Sequence, residues 1–252
     1  MNSLTRRRLI TTGLATTAGV AGLAAADRIA KRYGLIPPDH CGKFGAGETL
    51  TYAAQRILVG DAPAREFRRD QISKAPFANE VEKPTPAFLQ LQAGGFRDWR
   101  LQVDGMVAHP LSLSVSEIKS MGMGRHITEI ACEEGWSYVA EWIGTPLHLV
   151  LREAGVLPEA KYLVYYGVEK WAWDSLDMPE AMHPQTLVTW AMNDSDLGVP
   201  FGGPLRMRVP RQLGYKNLKF LTRITATDSM KKFGKGLGSS SPESGYSWYA
   251  GI

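Results

Sequence analysis

Between residues 99 and 227 the apolar positions of this chain recur mainly with a period of two, in short runs separated by turn residues, which predicts strands. Trp99 to Gly105 alternates apolar and polar and ends in Asp-Gly, so it reads as a half-buried strand, and Leu111 and Leu113 continue as a second short one. Ile127 to Cys132, Tyr162 to Gly167 and Leu187 to Met192 read as further strands, the last entering an Asn193-Asp194 turn. Pro204 to Pro210 places Arg206 and Arg208 on the face opposite Leu205 and Met207, and Leu218 to Thr227 closes the series. Helical signals are fewer. Ser114-Val-Ser-Glu117 has capping-box form and starts a short helix to about Met121. Thr145 is placed to cap a helix with Pro146 at its first position and Gly155 at its end, its buried face built from Leu147, Leu149, Val150, Leu151 and Ala154. Leu50 to Val59 is a candidate helix, and Pro179 to Met182 at most a short one.

These elements predict one α+β domain, mainly β, over residues 76–252. Residues 27–75 are irregular, and a segment of that length without clear periodicity is expected to wrap over a neighbouring domain. Pro76 to Asn79 and Lys83 to Pro86 read as extended loop. In the Gly- and Ser-rich tail, Tyr246, Trp248 and Tyr249 are aromatic enough to dock on the body.

Composition changes the picture at the N-terminus. Thr5-Arg6-Arg7-Arg8-Leu9-Ile10, a weakly apolar run to Leu23 and Ala24-Ala25-Ala26 form a twin-arginine export signal over residues 1–26. The expected location is the periplasm, with an uncleaved anchor as the alternative. The run is too short and too rich in Gly and Thr for a good membrane span. The formal net charge is +4, and the three arginines of that segment leave +1 for the remainder, so the pI of about 9.0 gives no argument for nucleic acid. Export by this route raises the expectation of a bound cofactor.

The candidate chemistry lies in two stretches. The first is Cys132-Glu-Glu-Gly-Trp136-Ser, where one cysteine ends a strand and is followed by two carboxylates. A disulfide, a nucleophile and a metal ligand all remain open for it, although Cys41, the one other cysteine, sits in a loop-like context without CxxC spacing. The second is Phe201-Gly-Gly-Pro-Leu-Arg206 followed by Gly214-Tyr-Lys216-Asn217-Leu218-Lys219, a cation-rich segment whose glycines allow close backbone approach to an anion. Taken alone, a basic solvated face would look the same.

Together, Cys132-Glu-Glu-Gly-Trp-Ser, Trp142-Ile-Gly-Thr-Pro146-Leu, Gly-Gly-Pro-Leu-Arg206 and Gly214-Tyr-Lys-Asn-Leu-Lys219 resemble the sulfite oxidase family of molybdopterin enzymes, in particular its small exported members. The resemblance covers about residues 75–252 and implies a mixed-sheet molybdopterin-binding domain. It implies Cys132 as the thiolate ligand of molybdenum and as the catalytic metal site. It further implies that Arg206 and Lys219, with backbone at Asn217 and Leu218 and help from Lys216, hold the phosphate of the pyranopterin. Asn79 is the upstream pterin contact by a looser match. Gly167 stands where reductase-like members carry a pterin-binding threonine, so a contact there would come from backbone. Phe201 departs from the family's His or Asn and puts one cofactor contact in doubt. The implied activity is oxygen-atom transfer, either sulfoxide-type reduction or sulfite-type oxidation. Glu133 and Glu134 beside the metal ligand would disfavour an anionic substrate. Haem and dimerisation domains have no room, so the expected chain is a monomer that exchanges electrons with a cytochrome c or a membrane haem protein. The alternative is a non-catalytic relative that uses the fold as an interaction module.

Overall fold

The structure, a computed structural model, describes residues 28–79, 85–169 and 171–252. The twin-arginine segment lies outside the described residues. The chain divides into two compact units, one ending at Gly60 and the other running from Asp61 to Ile252.

In the first unit the helix α1 spans Gly45–Ala54, so it begins five residues before the expected Leu50, and it runs on as a π-turn over Gln55–Val59. Its buried residues are Gly45 and Tyr52.

The second unit is built on two sheets. The first contains β1 (Leu101–Gly105) and β2 (Leu111–Leu113), the two strands expected there, which pair antiparallel. The second opens with β3 (Gly124–Ala131) and β4 (Ser137–Pro146), an antiparallel hairpin whose loop begins at Cys132. β5 (Tyr162–Tyr166) and β6 (Trp173–Asp177) return to the first sheet, giving the order β2-β1-β10-β5-β6, with β10 spanning Arg223–Thr227 and lying parallel to β1. β7 (Leu187–Met192) pairs with β4, β8 (Ser195–Asp196) and β9 (Arg206–Arg208) in the second sheet. Asn193 and Asp194 both take positive φ, 51° and 65°, as the two-residue turn between β7 and β8 demands.

Helices fill the gaps. α2 (Pro86–Ala93) is capped by the Thr85 hydroxyl, which accepts from the Phe88 N–H, in a region expected to be extended on its N-terminal side. α3 (Val115–Ser120) carries both halves of the predicted capping box at Ser114 and Glu117. α4 (Leu147–Ala154) ends at Gly155 with φ 64°, as predicted, but its start differs. Thr145 belongs to β4, and its hydroxyl donates to the Ile118 carbonyl at 2.6 Å; Pro146 occupies the cap position and offers no side-chain oxygen. α5 (Met178–Ala181) is a single turn capped by Asp177.

One large core joins α2, α4 and the first sheet, around Trp99, Leu101, Leu147, Leu163 and Ile224. A smaller cluster, Ile130, Tyr138, Ala140, Trp142 and Leu187, lies on the second sheet and ends at the β3–β4 hairpin. The segment 61–75 belongs to this unit. Phe67 N–H donates to the Ile127 carbonyl and Ser73 N–H to that of Val139, so the segment pairs along β3 and β4. The aromatic tail docks as predicted: Trp248 is buried and its indole N–H donates to the Ser175 hydroxyl at 2.7 Å. No helix of the described residues is long and apolar enough to cross a membrane.

Candidate active site

The β3–β4 hairpin positions the cysteine. Cys132 N–H donates to the Trp136 carbonyl, and Gly135, at φ 91°, returns its N–H to the Cys132 carbonyl, so the thiol projects from a closed five-residue loop. Cys132 lines a cavity of about 320 Å³ together with Asn79, Tyr138, Phe201, Arg206 and Lys219. Its thiol donates to Glu133 at 3.1 Å. Burial pushes its pKa up to about 12, with the neighbouring carboxylates acting in the same direction. Without a cation the group is therefore a thiol at neutral pH, and a bound metal has to displace its proton.

Aromatic side chains form one wall. Trp136 stacks on Tyr138 with ring centroids 6.0 Å apart, Phe77 lies 5.1 Å from Trp136, and Phe201 meets Tyr138 edge-on at 6.3 Å. Glu134 accepts from the Trp136 indole at 2.8 Å and from the Asn79 amide at 3.3 Å, which ties the upstream loop to the cysteine hairpin.

Two cations, Arg206 and Lys219, also line the cavity. Arg206 is 4% exposed, and its Nη1 donates to the Phe201 carbonyl at 3.0 Å. Tyr138 also bonds it, but its Nε has no partner and it makes no ion pair among the described residues. Arg206 and Arg208 both lie on the Trp142 ring, 5.5 and 5.0 Å from its centroid. The expected alternation along β9 therefore holds, yet both of its faces are buried and neither is solvated. Arg208 is nearly fully buried, and burial followed by the repulsion of Arg206 lowers its pKa to about 9, so it remains cationic at neutral pH. Lys219 donates to the carbonyls of Asn79 and Pro200 at 2.9 and 2.7 Å, and burial reinforced by Arg206 lowers it to about 8.

Two glycines permit this arrangement. At Gly214 a side chain would begin 3.3–3.4 Å from the Cα and Cβ of Cys132. At Gly202, with φ 98°, it would meet Lys219 at 2.7 Å.

The nine residues singled out from the sequence do not all converge. Cys132, Asn79, Phe201, Arg206, Asn217, Leu218 and Lys219 line one cavity. Lys216 does not. Its ammonium is buried against Asp174 at 2.6 Å and donates to the Ser175 carbonyl at 2.9 Å, so its position in the motif serves the interior. Gly167 also turns away: its N–H donates to Ala172, its carbonyl accepts from Thr222, and the cavity is lined by its neighbours Val168, Glu169 and Ala172. Phe201, which departs from the family's usual His or Asn, contributes its backbone carbonyl, which orients Arg206.

Arg208 follows Arg206 at the strand period of two and supports the site from outside the cavity lining. Its guanidinium donates to Thr128 Oγ1 (3.0 Å) and the Glu129 carbonyl (2.6 Å) on β3, and to Asn217 Oδ1 (2.7 Å). It thereby ties the strand that delivers Cys132 to the loop that carries Asn217 and Leu218. Tyr138, which no motif of the sequence marks, lines the cavity itself.

Comparison with known proteins matches residues 88–233, more than half of the chain, to the oxidoreductase molybdopterin binding domain. The chain belongs to this family. It is the sulfite oxidase family of molybdopterin-dependent oxidoreductases, as the motifs around Cys132 and Arg206 imply, and the family's cofactor is molybdopterin with molybdenum. Over 153 residues, 61% of this chain and 56% of the relative, it is 31% identical to YedZ1 of Azospira oryzae, named as a candidate protein-methionine-sulfoxide reductase subunit. Over 242 residues, 89% of this chain and 70% of the relative, it is 29% identical to the protein-methionine-sulfoxide reductase catalytic subunit MsrP of Xanthomonas axonopodis pv. citri. The sulfane dehydrogenase SoxCD of Paracoccus pantotrophus shares the fold, with a TM-score of 0.51 and 24% identity over 53% of this chain and 39% of that one.

The residues present fit the family's cofactor. A soft sulfur donor and two cations line one cavity, the cations without carboxylate partners among the described residues and Arg206 with an orphaned buried Nε.

Proposed function

We propose that this protein is an exported oxidoreductase of the periplasm that reduces a neutral S-oxide at a molybdenum centre ligated by Cys132. The observation that carries this reading is that the Cys132 thiol and the cations Arg206 and Lys219, which pair with no carboxylate among the described residues, open on one cavity. In this reading the Cys132 thiolate binds the metal, while Arg206, Lys219 and the backbone of Asn217 and Leu218 hold the cofactor phosphate. When bound, the cofactor supplies two-electron redox chemistry coupled to oxygen-atom transfer.

The protein's own groups place and shield that chemistry. The Phe201 carbonyl and Tyr138 aim the Arg206 fork, and the Trp136–Tyr138–Phe77 wall keeps bulk water from the thiol side. Glu133, whose carboxylate meets the thiol, and Glu169 also line the cavity, and together they favour a neutral substrate over an oxyanion such as sulfite. Relatives named as methionine-sulfoxide reductase subunits support the same direction. The electron donor is a separate cytochrome c or membrane haem protein.

Protein made with intact cofactor assembly should contain about one molybdenum per chain, and Cys132→Ala should lose it while melting within a few degrees of wild type. Holo-protein should reduce methionine sulfoxide faster than it oxidises sulfite. Full folding without molybdenum under these conditions would defeat the proposal, and activity on sulfite alone would defeat its substrate.

A further inference from the structure

Residues 28–60 are less than a sixth of the described residues, yet they carry seven of the fifteen exposed large apolar side chains. Leu50 is 73% exposed, Ile57 65% and Leu58 82%. With the exposed Ala54 they recur at i, i+4, i+7 and i+8 along α1 and its π-turn, which places them on one face. The opposite side is closed: Tyr52 is buried, and the Arg56 guanidinium lies 5.4 Å from its ring centroid. The helix is thus inverted for a protein surrounded by water, with its apolar stripe outward. A contiguous stripe of this kind marks an interaction surface.

The charges of the same unit indicate the partner. Arg28, Lys31, Arg32 and Lys43 are exposed, Asp39 is buried and Glu48 is half-buried, so every exposed charge between 28 and 60 is a cation. Outward apolar side chains accompanied by cations fit the headgroup–acyl boundary of an anionic bilayer. A second copy of this chain would bring cations against cations. The stripe from Leu50 to Leu58 extends only about 12 Å at the helical rise, so it lies in an interface and does not cross it.

We propose that the unit formed by residues 28–60 docks the enzyme on an anionic lipid surface through Leu50, Ile57 and Leu58, with Arg28, Arg32 and Lys43 contacting the headgroups. The inference does not depend on the cofactor or on the substrate.

The test is co-sedimentation of the full chain with vesicles of phosphatidylcholine alone or mixed with phosphatidylglycerol. Binding is expected to the mixed vesicles and to weaken with added salt. The triple variant Leu50→Ser, Ile57→Ser, Leu58→Ser should lose at least about tenfold in partitioning. The triple variant Arg28→Gln, Arg32→Gln, Lys43→Gln should lose about fivefold per cation, on the mixed vesicles only. Residues 1–26 are common to all variants and so do not account for a difference between them. The substituted side chains are exposed, and an unchanged melting temperature confirms folding. Equal partitioning of wild type and both variants overturns the proposal. So does binding that appears only when a haem membrane protein is reconstituted in the vesicles, or concentration-dependent self-association that the Ser variant abolishes.

Discussion

Two buried groups of cations, drawn from the same stretch of sequence, have opposite surroundings. Lys216, 1% exposed, is neutralised inside the fold by Asp174 and by the Ser175 carbonyl, under the docked tail where Trp248 closes over Ser175. Burial raises the Asp174 pKa, and the adjacent ammonium opposes that rise. Arg206 and Arg208 are as deeply buried, yet among the described residues no carboxylate pairs with either, and each has an Nε without a partner. Burying a charge without a counter-charge costs free energy. Of the two, Arg206 lines the cavity with Cys132 and is set for an anion from outside, while Arg208 braces β3 against the Asn217 loop behind it; the lysine paired with Asp174 is set for stability.

Breaking each cluster should therefore give different readouts. Lys216→Met leaves Asp174 buried and unpaired. It should cost about 3–5 kcal/mol and lower the melting temperature on the order of 10 °C. Adding Asp174→Leu should recover much of that loss. An equal loss of phosphate binding without loss of stability would show that Lys216 serves the ligand after all.

Arg206→Met should do the reverse. It removes a buried unpaired charge, so the cofactor-free protein should melt at the same temperature or higher. Inorganic phosphate should bind roughly 10- to 100-fold more weakly, as expected for loss of a charge-assisted bond. Thermal shift against phosphate concentration reads both quantities, and a destabilised Arg206→Met with intact phosphate binding would erase the contrast.

The sequence revealed the strands and the cavity's motifs better than it revealed the partners of each cation. Periodicity places Arg206 and Arg208 on one strand face, because the strand period is fixed by the backbone. Whether a cation in such a segment meets a ligand or a carboxylate depends on residues far along the chain. Asp174 is 42 residues from Lys216 and lies on β6, a strand that its sequence, Trp-Asp-Ser-Leu-Asp, hardly advertises. Thr145 shows the same limit locally: its spacing before Pro146 suited a helix cap, but a buried carbonyl 27 residues away at Ile118 took the hydroxyl. Motif spacing found Cys132 because the hairpin that presents it is local. It did not find Tyr138 or Arg208, whose parts arise only when β3, β4 and β9 pack together.

The smallest effect expected is a pH dependence on the cation side alone. Lys219 is held at about 8, below its ordinary value near 10.5, by burial and by Arg206. A base with a depressed folded-state pKa is bound to more protons in the unfolded chain between those two values. The cofactor-free protein should therefore gain stability as pH rises from about 8 toward 10.5. Anion binding should move the other way, because a neutral Lys219 no longer attracts the ligand. Sulfate does not titrate in this range, so its thermal shift isolates the protein's groups, and that shift should shrink by a few-fold as pH passes 8. Lys219→Met should show a weaker sulfate response without this step, carried by Arg206. Lys219→Arg should hold the response up to higher pH, since a guanidinium keeps its charge there. Lys216, neutralised by Asp174 and outside the cavity, should leave the step in place when replaced in the Lys216→Met, Asp174→Leu pair. A step that vanished in that pair would place the titrating group in the interior cluster, and the division between the two sets of cations would fail.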